Sequence, residues 1–170
     1  MPTGLKQASS VVSIGFIAEE TAANTFIQNS VDLNLSPLDR EVFVVLAVNL
    51  DPASPDSLAA TDTSVQTSLT TTSQTAVVGL DNPNCLAATT NIIRADGFAD
   101  SGVAFQGLGI ETPPATLEYI GIIATNDFFI QCKGTNNTRA KSLRGKLYGY
   151  RAVANADIYA ALVQSEVLSA

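Results

Sequence analysis

Short runs of apolar and β-branched residues recur along the chain, separated by turns rich in Pro, Asn, Asp and Gly, at a spacing of roughly ten residues. The strongest run is residues 41–50, EVFVVLAVNL, which is apolar on both faces of an extended strand. One face would carry Val42, Val44, Leu46, Val48 and Leu50, and the other Phe43, Val45, Ala47 and Asn49. This pattern predicts a central strand, or a strand with one face covered by a neighbouring subunit.

The same pattern predicts further strands at residues 11–18, 63–75, 76–80, 86–95, 103–110, 117–124, 128–132 and 143–153. The Thr-rich segment 63–75 alternates in a way that is typical of a half-exposed edge or surface strand, with a disordered Ser/Thr linker as the alternative. Asn126 and Asp127 both tolerate positive φ, so we expect a two-residue turn there, with 128–132 as the return strand. Residues 19–29 contain weak helix formers and are predicted to be loop or strand.

The helical pattern in this sequence lies at its C-terminal end, residues 155–169, where Asn155 can cap a helix over residues 156–168. One face of this helix would carry Ile158, Ala161, Leu162 and Ser165. Residues 1–10 indicate an extended N-terminal arm. Long helices between strands are missing from the pattern. We therefore predict a single all-β domain over residues 1–170, an antiparallel, jelly-roll-like β-sandwich of eight to ten strands with a short C-terminal helix.

Composition adds information about the surface. Charged residues make up 15% of the chain and hydrophobic residues 46%, which is enough for a sizeable core. A free monomer usually carries more charge to remain soluble, so a surface this poor in charge is typical of a protein partly covered by copies of itself.

Positive charge is concentrated near the C-terminal end of the chain, although the net charge is −7. Six of the nine basic residues fall within one short segment: Lys133, Arg139, Lys141, Arg144, Lys146 and Arg151. No acidic residue occurs between Asp127 and Asp157. This asymmetry favours head-to-tail docking of the basic region of one subunit on the acidic surface of another.

Alternation along 143–153 would place four residues in one row on the same strand face: Arg144, Lys146, Tyr148 and Tyr150. Such a row could form a subunit interface, face a packaged nucleic acid, or be an ordinary solvated surface. The segment KLYGYRAV partly matches the RNP1 pattern of RNA-recognition domains, but the two helices and the second motif of those domains are not found. Sequence-specific reading of nucleic acid is therefore not predicted.

Catalytic chemistry is not indicated. The chain has no histidine, which removes the commonest general base, and it lacks GxSxG and SxxK nucleophile patterns. Asp51, Asp56 and Asp62 could donate oxygens to calcium, but they match no EF-hand loop, and acids in turns are common. We predict no enzymatic activity, no catalytic residues, no metal site and no cofactor.

Two features bear on location. Cys85 and Cys132 form no CxxC pair; a disulfide between them is possible, and two buried free thiols are the favoured interpretation. The apolar run that begins at Val11 spans only about seven residues, which is too short for a signal peptide or a membrane span. We therefore expect no membrane association and folding in a cytoplasm.

The pattern as a whole resembles small virion proteins of the β-sandwich, jelly-roll type. The features in common are a polar N-terminal arm, strands such as EVFVVLAVNL and TLEYIGIIA, Thr-rich strands, Pro-punctuated loops and a basic segment. The resemblance implies a structural virion subunit that assembles into a capsid shell or decorates one, located in the virion after assembly in a host cytoplasm. The implied partners are other copies of itself, other virion proteins and, through non-specific contact, packaged nucleic acid. The arm departs from many capsid proteins because Lys6 is its one charged residue.

A second interpretation is a non-catalytic binding or adhesion module. Carbohydrate-binding β-sandwiches usually expose a platform of Trp and Tyr. Here Trp is absent and only four tyrosines are present, which weighs against sugar binding.

Overall fold

The computed structural model describes residues 2–100, 102–107, 109–112 and 116–170. Two antiparallel sheets pack face to face, and one helix follows them at the C-terminal end. The elements are β1 (Leu5–Gln7), β2 (Val12–Glu19), β3 (Ile27–Asp32), β4 (Glu41–Pro52), β5 (Thr63–Thr70), β6 (Cys85–Arg94), β7 (Val103–Gln106), β8 (Ile110–Glu111), β9 (Gly121–Ile123), β10 (Asp127–Thr135), β11 (Ser142–Ala154) and α1 (Ala156–Leu168). The all-β fold with a single C-terminal helix is as predicted.

The strand pairing is nested. β2 pairs with β11, β3 with β10, β4 with β9 and β5 with β6, so the chain folds like one long hairpin wound over itself. Eight strands paired in this way in two sheets form a jelly roll. We call the six-stranded sheet, which contains β1, β2, β11, β4, β8 and β9, sheet A. Sheet B has the order β3-β10-β5-β6-β7.

Three short strands bring the number described to eleven, above the eight to ten predicted. β7 extends sheet B beside β6, and β8 pairs with β4 in sheet A. β1 lies in the segment predicted as an arm and pairs with the end of β11, with Leu5 opposite Ala154. The arm therefore lies against the sheet of its own chain.

The main core lies between the two sheets. Within it the Phe16 and Phe128 rings meet edge to face, with 5.8 Å between their centroids. A second apolar cluster lies on the outer face of sheet A, where Val42, Val44 and Tyr150 pack against α1. The helix therefore covers part of that face, and this explains why β4 is apolar on both sides.

A bulge in β4 changes the predicted alternation. Tyr148 of β11 pairs with Ala47, but the next residue, Gly149, pairs with Val45, so Leu46 is an extra residue in β4. Phe43 and Val45 before the bulge, and Val48 and Leu50 after it, all point into the main core. The bulge moves Val48 and Leu50 to the face opposite that of Val42 and Val44. The prediction that these residues share one continuous face with Leu46 is therefore wrong.

The segment 63–75 forms a strand over Thr63–Thr70, as predicted, but its predicted location at an edge or on the surface is wrong. β5 is the middle strand of sheet B, between β10 and β6, and its outer face is covered. Ser68 Oγ on that face donates to Gln131 Oε1 at 2.7 Å and accepts from the Val78 backbone N–H at 3.4 Å. Residues 76–80 do not form the predicted strand. They lie over this polar face, where the Val78 N–H provides a partner for one of its buried hydroxyl groups.

The predicted hairpin through Asn126 and Asp127 is not formed. β9 belongs to sheet A and β10 to sheet B, so the chain crosses from one sheet to the other at residues 124–126. The side chains of this segment bind elsewhere: Asn126 Oδ1 accepts from the Leu35 N–H at 2.7 Å. The predicted strand 103–110 likewise divides into β7 and β8 in different sheets, and Leu108 between them lies outside the described residues.

The C-terminal helix begins as predicted. Asn155 Oδ1 accepts from the Ile158 N–H at 2.9 Å and caps the first turn. The predicted helix face is wrong in part, because Ala161 and Ser165 are exposed. The sheet-facing side instead carries Ile158, Tyr159, Leu162, Val163 and the buried Glu166.

Candidate interaction surface

The row of residues predicted on β11 is present. Arg144, Lys146 and Tyr148 point away from the main core, while Leu143 and Leu147 point into it. Arg144 and Lys146 are exposed and Tyr148 is half-buried. Tyr150, the fourth member, is buried beneath α1, and this burial raises the pKa of its phenol. The helix therefore ends the accessible part of the row at Tyr148.

Residues on β4 complete a shallow groove beside this row. Asn49 is the register partner of Lys146, and Asp51 that of Arg144, so each basic side chain stands beside a polar or acidic one. The groove has a volume of about 360 Å³. Its lining consists of Asn49, Asp51, Arg144, Gly145, Lys146 and Tyr148. We call the part of sheet A that α1 leaves uncovered, with this groove at its centre, the open face.

Apolar side chains flank the groove on both sides. Ile17 on β2 is the register partner of Arg144 and is 46% exposed. Ile110 on β8 is the register partner of Asn49 and is 55% exposed. The open face thus combines an aromatic ring and two cations with a carboxylate and two branched apolar side chains.

Glycine at position 145 allows β11 to lie flat against the core beneath this groove. Gly145 points inward, and a Cβ atom there would come within 2.7 Å of the Phe16 ring. The ring fills the space that a side chain would occupy. The sequence pattern of Gly145 between two basic residues therefore reflects packing on the inner side of the strand as much as chemistry on the outer side.

Lys141, another of the six basic residues, is structural. Its side chain is 9% exposed, and Nζ lies 2.6 Å from Asp56 Oδ1. The other Asp56 oxygen accepts from the Thr138 N–H at 2.7 Å, from the Thr138 hydroxyl at 2.8 Å and from the Arg139 N–H. The hydrogen bond from Lys141, followed by that from the Thr138 hydroxyl, holds the pKa of the Asp56 carboxyl well below its ordinary value.

Arg151 is also occupied within its own chain. Its guanidinium donates to the Leu33 carbonyl at 2.6 Å and to the Asn34 carbonyl at 2.9 Å, and lies 3.4 Å from Glu41 Oε2. It fixes the connection between β3 and β4.

The structure therefore does not bring the six basic residues together. Lys133 is exposed on the outer face of sheet B, on the opposite side of the sandwich from Arg144 and Lys146. Arg139 is exposed in the loop between β10 and β11. Sequence reasoning missed Ile17 and Ile110 beside the groove because only strand register, which involves distant parts of the chain, places them there.

Two of the acidic residues considered for calcium, Asp56 and Asp62, have other partners. Asp62 accepts from the Asp96 and Ala95 N–H groups, which together with Arg94 lower the pKa of its carboxyl. Asp51 lies in the groove. Within the described ranges, no group of three or more His, Cys, Asp or Glu residues could hold a metal ion.

Neither Cys85 nor Cys132 forms a disulfide among the described residues, and only Cys132 is buried. Cys132 lies in the main core, and burial raises the pKa of its thiol to about 12. Cys85 is half-buried, with Sγ 3.3 Å from the Ala87 carbonyl oxygen. The prediction of burial is therefore wrong for Cys85, because it lies at the start of β6 rather than in its centre. No helix in the described part of the chain is long and apolar enough to cross a membrane.

Comparison with known proteins gave matches among solved structures alone. No family model matches the chain, and no curated protein does. A structure of Desmodium yellow mottle tymovirus aligns over 92% of this chain and 95% of the other, with 14% identity and a TM-score of 0.27. The empty head of turnip yellow mosaic virus aligns over 91% and 88%, with 14% identity and a TM-score of 0.29. A further turnip yellow mosaic virus structure aligns over 87% and 98%, with 12% identity and a TM-score of 0.27.

All three matched structures are of viruses. Scores this low carry no argument about function.

Proposed function

We propose that the chain is a non-catalytic structural subunit of a virion, which assembles with copies of itself through the open face of sheet A. The observation that carries the proposal is the composition of this face. Arg144 and Tyr148 belong to the residue types that dominate binding energy in protein interfaces, and Ile17 and Ile110 offer apolar area beside them.

The fold is compatible with this function but does not establish it. Jelly rolls occur in viral capsid proteins, and also in lectin domains and cupins. The low charge of the chain and its many exposed apolar side chains, among them Leu38 at 95% and Leu168 at 75% exposure, support burial against neighbouring copies. In this proposal the subunit is located in the virion, assembles in a host cytoplasm and contacts other virion proteins.

The first test is the mass of the native protein at neutral pH, measured by light scattering and electron microscopy. We expect regular particles in the megadalton range. A stable monomer would contradict the proposal and favour the binding-module interpretation, which a ligand screen would then address.

A pair of charge reversals tests the open face itself. In Arg144→Glu/Lys146→Glu, acidic groups would replace the two cations next to Asp51, and assembly should weaken by about tenfold or more, since like charges across an interface are costly. The matched control is Lys133→Glu/Arg139→Glu, which changes the net charge by the same amount at exposed positions away from the open face.

Both variants should unfold at the same urea concentration as the parent protein, because all four side chains are exposed. Equal assembly of the two variants, whether both lose it or both keep it, would contradict an assembly role for the open face.

A further inference from the structure

One buried carboxylate has a free oxygen. Glu166 on α1 is 7% exposed, and its Oε2 accepts from the Ala124 N–H at 3.0 Å and from the Thr125 N–H at 2.8 Å. Its other oxygen, Oε1, is buried and has no hydrogen-bond partner among the residues the structure describes. A buried carboxylate that is satisfied on one side only is costly, and burial accordingly raises the pKa of Glu166. A cation beside the unpartnered oxygen would offset this cost.

Glu166 lines a cavity, and so does Thr71, which has a second buried oxygen of this kind. Thr71 is 5% exposed, and its Oγ1 also has no partner within the described ranges. Both side chains line a cavity of about 210 Å³, situated between α1, β9 and the loop after β5, which we call the Glu166 cavity. Pro83 and Ser165 line it as well and are exposed, so they mark its opening to solvent.

The remaining walls of the Glu166 cavity combine four branched apolar side chains with the buried polar side chain of Asn84. The apolar side chains are those of Leu86, Ile120, Ile122 and Leu162. A hard metal ion needs six or more oxygen ligands, which walls of this kind do not provide. A cation with an apolar body fits better, because its charged head can pair with the carboxylate while its alkyl part replaces water against the branched side chains.

From these contacts we infer that the Glu166 cavity binds a primary alkylammonium group, with the ammonium paired to Glu166 and Thr71. The group can come from a free amine or from a lysine side chain of a second copy of this chain. This inference does not depend on the proposed function, because the site lies on the helix-covered side of sheet A and involves no residue of the open face.

The test uses the full chain and n-butylammonium chloride as the probe, with n-butanol and sodium chloride as controls for the alkyl chain and for ionic strength. We expect a saturable rise in melting temperature with n-butylammonium only, of about 3 °C when the amine exceeds its dissociation constant tenfold. No saturable rise, or an equal rise with n-butanol, would overturn the inference.

Two variants separate binding at this site from binding elsewhere. Glu166→Gln keeps an oxygen to accept from Ala124 and Thr125, but places an uncharged amide where the carboxylate has its free oxygen. Thr71→Val removes the hydroxyl from the cavity wall while keeping the shape of the side chain. We expect the rise in melting temperature to be lost in Glu166→Gln and to become smaller in Thr71→Val. An unchanged rise in Glu166→Gln would refute the site. If Glu166→Gln does not fold, Thr71→Val still tests the site.

The source of the ammonium is found from the native mass with and without the amine. If a lysine of a second copy occupies the Glu166 cavity, n-butylammonium competes with it and lowers the mass. If the natural ligand is a free amine, the melting temperature rises and the mass stays unchanged.

Discussion

At the scale of single residues, Asp56 joins two distant parts of the chain through one carboxylate. It accepts from the Lys141 ammonium and from Thr138 and Arg139 in the β10–β11 loop, and thereby holds that loop against the segment between β4 and β5. The pair with Lys141 is partly shielded from water, because the lysine side chain is 9% exposed. Such a pair is more important to stability than an ion pair in full contact with solvent.

We predict that Asp56→Asn lowers the free energy of unfolding by about 2 kcal/mol at neutral pH, the size expected for hydrogen bonds to a charged group. The pKa of Asp56 is lower in the folded chain than its ordinary value of 3.8, so its stabilising effect is fully present above that value. It is lost as the pH falls below about 3.8 towards the folded pKa. Urea unfolding of the variant and the parent should therefore show a gap that narrows in acid.

The matched control for this prediction is Asp100→Asn, at an exposed position. It should leave the unfolding free energy unchanged within about 0.5 kcal/mol at either pH. A gap for Asp56→Asn that stays constant from neutral pH into acid would show that the carboxylate charge is not the cause.

Sequence alone gave the types of residue at these positions but not their partners. Lys141 and Arg144 are three positions apart in a segment of uniform positive charge. One is nevertheless buried against Asp56 and the other is exposed on the open face. The difference arises from Asp56, 85 positions earlier in the chain than Lys141, which no local pattern connects to it.

At the scale of elements, α1 decides which part of sheet A is accessible. It covers Val42, Val44 and Tyr150 and leaves Arg144, Lys146 and their neighbours uncovered. The helix is short, so its stability depends on its cap and on packing rather than on its own propensity.

We predict that Asn155→Ala destabilises the protein by about 1 kcal/mol, because the Ile158 N–H loses its acceptor. Asn155→Asp is the matched control: it keeps an oxygen at the same position, and its charge is favourable at a helix N-terminus. Urea unfolding should place this control close to the parent protein. Equal losses in both variants would mean that the side-chain cap does not stabilise α1.

Elements were predictable where one local pattern determines them. The cap at Asn155, the strand beginning at 41 and the alternation along β11 each follow from residues adjacent in sequence. The bulge at Leu46 did not follow, because a strand that is apolar on both faces contains no signal for its own register. The crossing between β9 and β10 did not follow either, since it depends on pairing with β4 and β3.

At the scale of the whole molecule, the open face could meet either another subunit or a nucleic acid, and its charge favours the subunit. The chain carries a net charge of −7, and of the six clustered basic residues only Arg144 and Lys146 reach this face. Asp51 lies in the same groove. Two cations would neutralise two phosphates. A plot of the logarithm of the affinity for single-stranded nucleic acid against the logarithm of the salt concentration would then have a slope of only about −1.4, which indicates weak binding to phosphate.

We therefore predict that subunits freed of nucleic acid by nuclease and ion exchange assemble to the same mass as untreated protein, without added polynucleotide. The apolar contacts of Ile17 and Ile110 should make this assembly only moderately sensitive to salt, although screening at about 1 M salt reduces the contribution of Arg144 and Lys146. Light scattering and the ratio of absorbance at 260 and 280 nm, recorded on the same fractions, provide the measurement. The opposite result would be assembly that requires added single-stranded nucleic acid and that is lost in Arg144→Glu/Lys146→Glu even when the nucleic acid is present. That result would assign the open face to a packaged genome, because the two cations would then be acting on phosphate rather than on a neighbouring subunit.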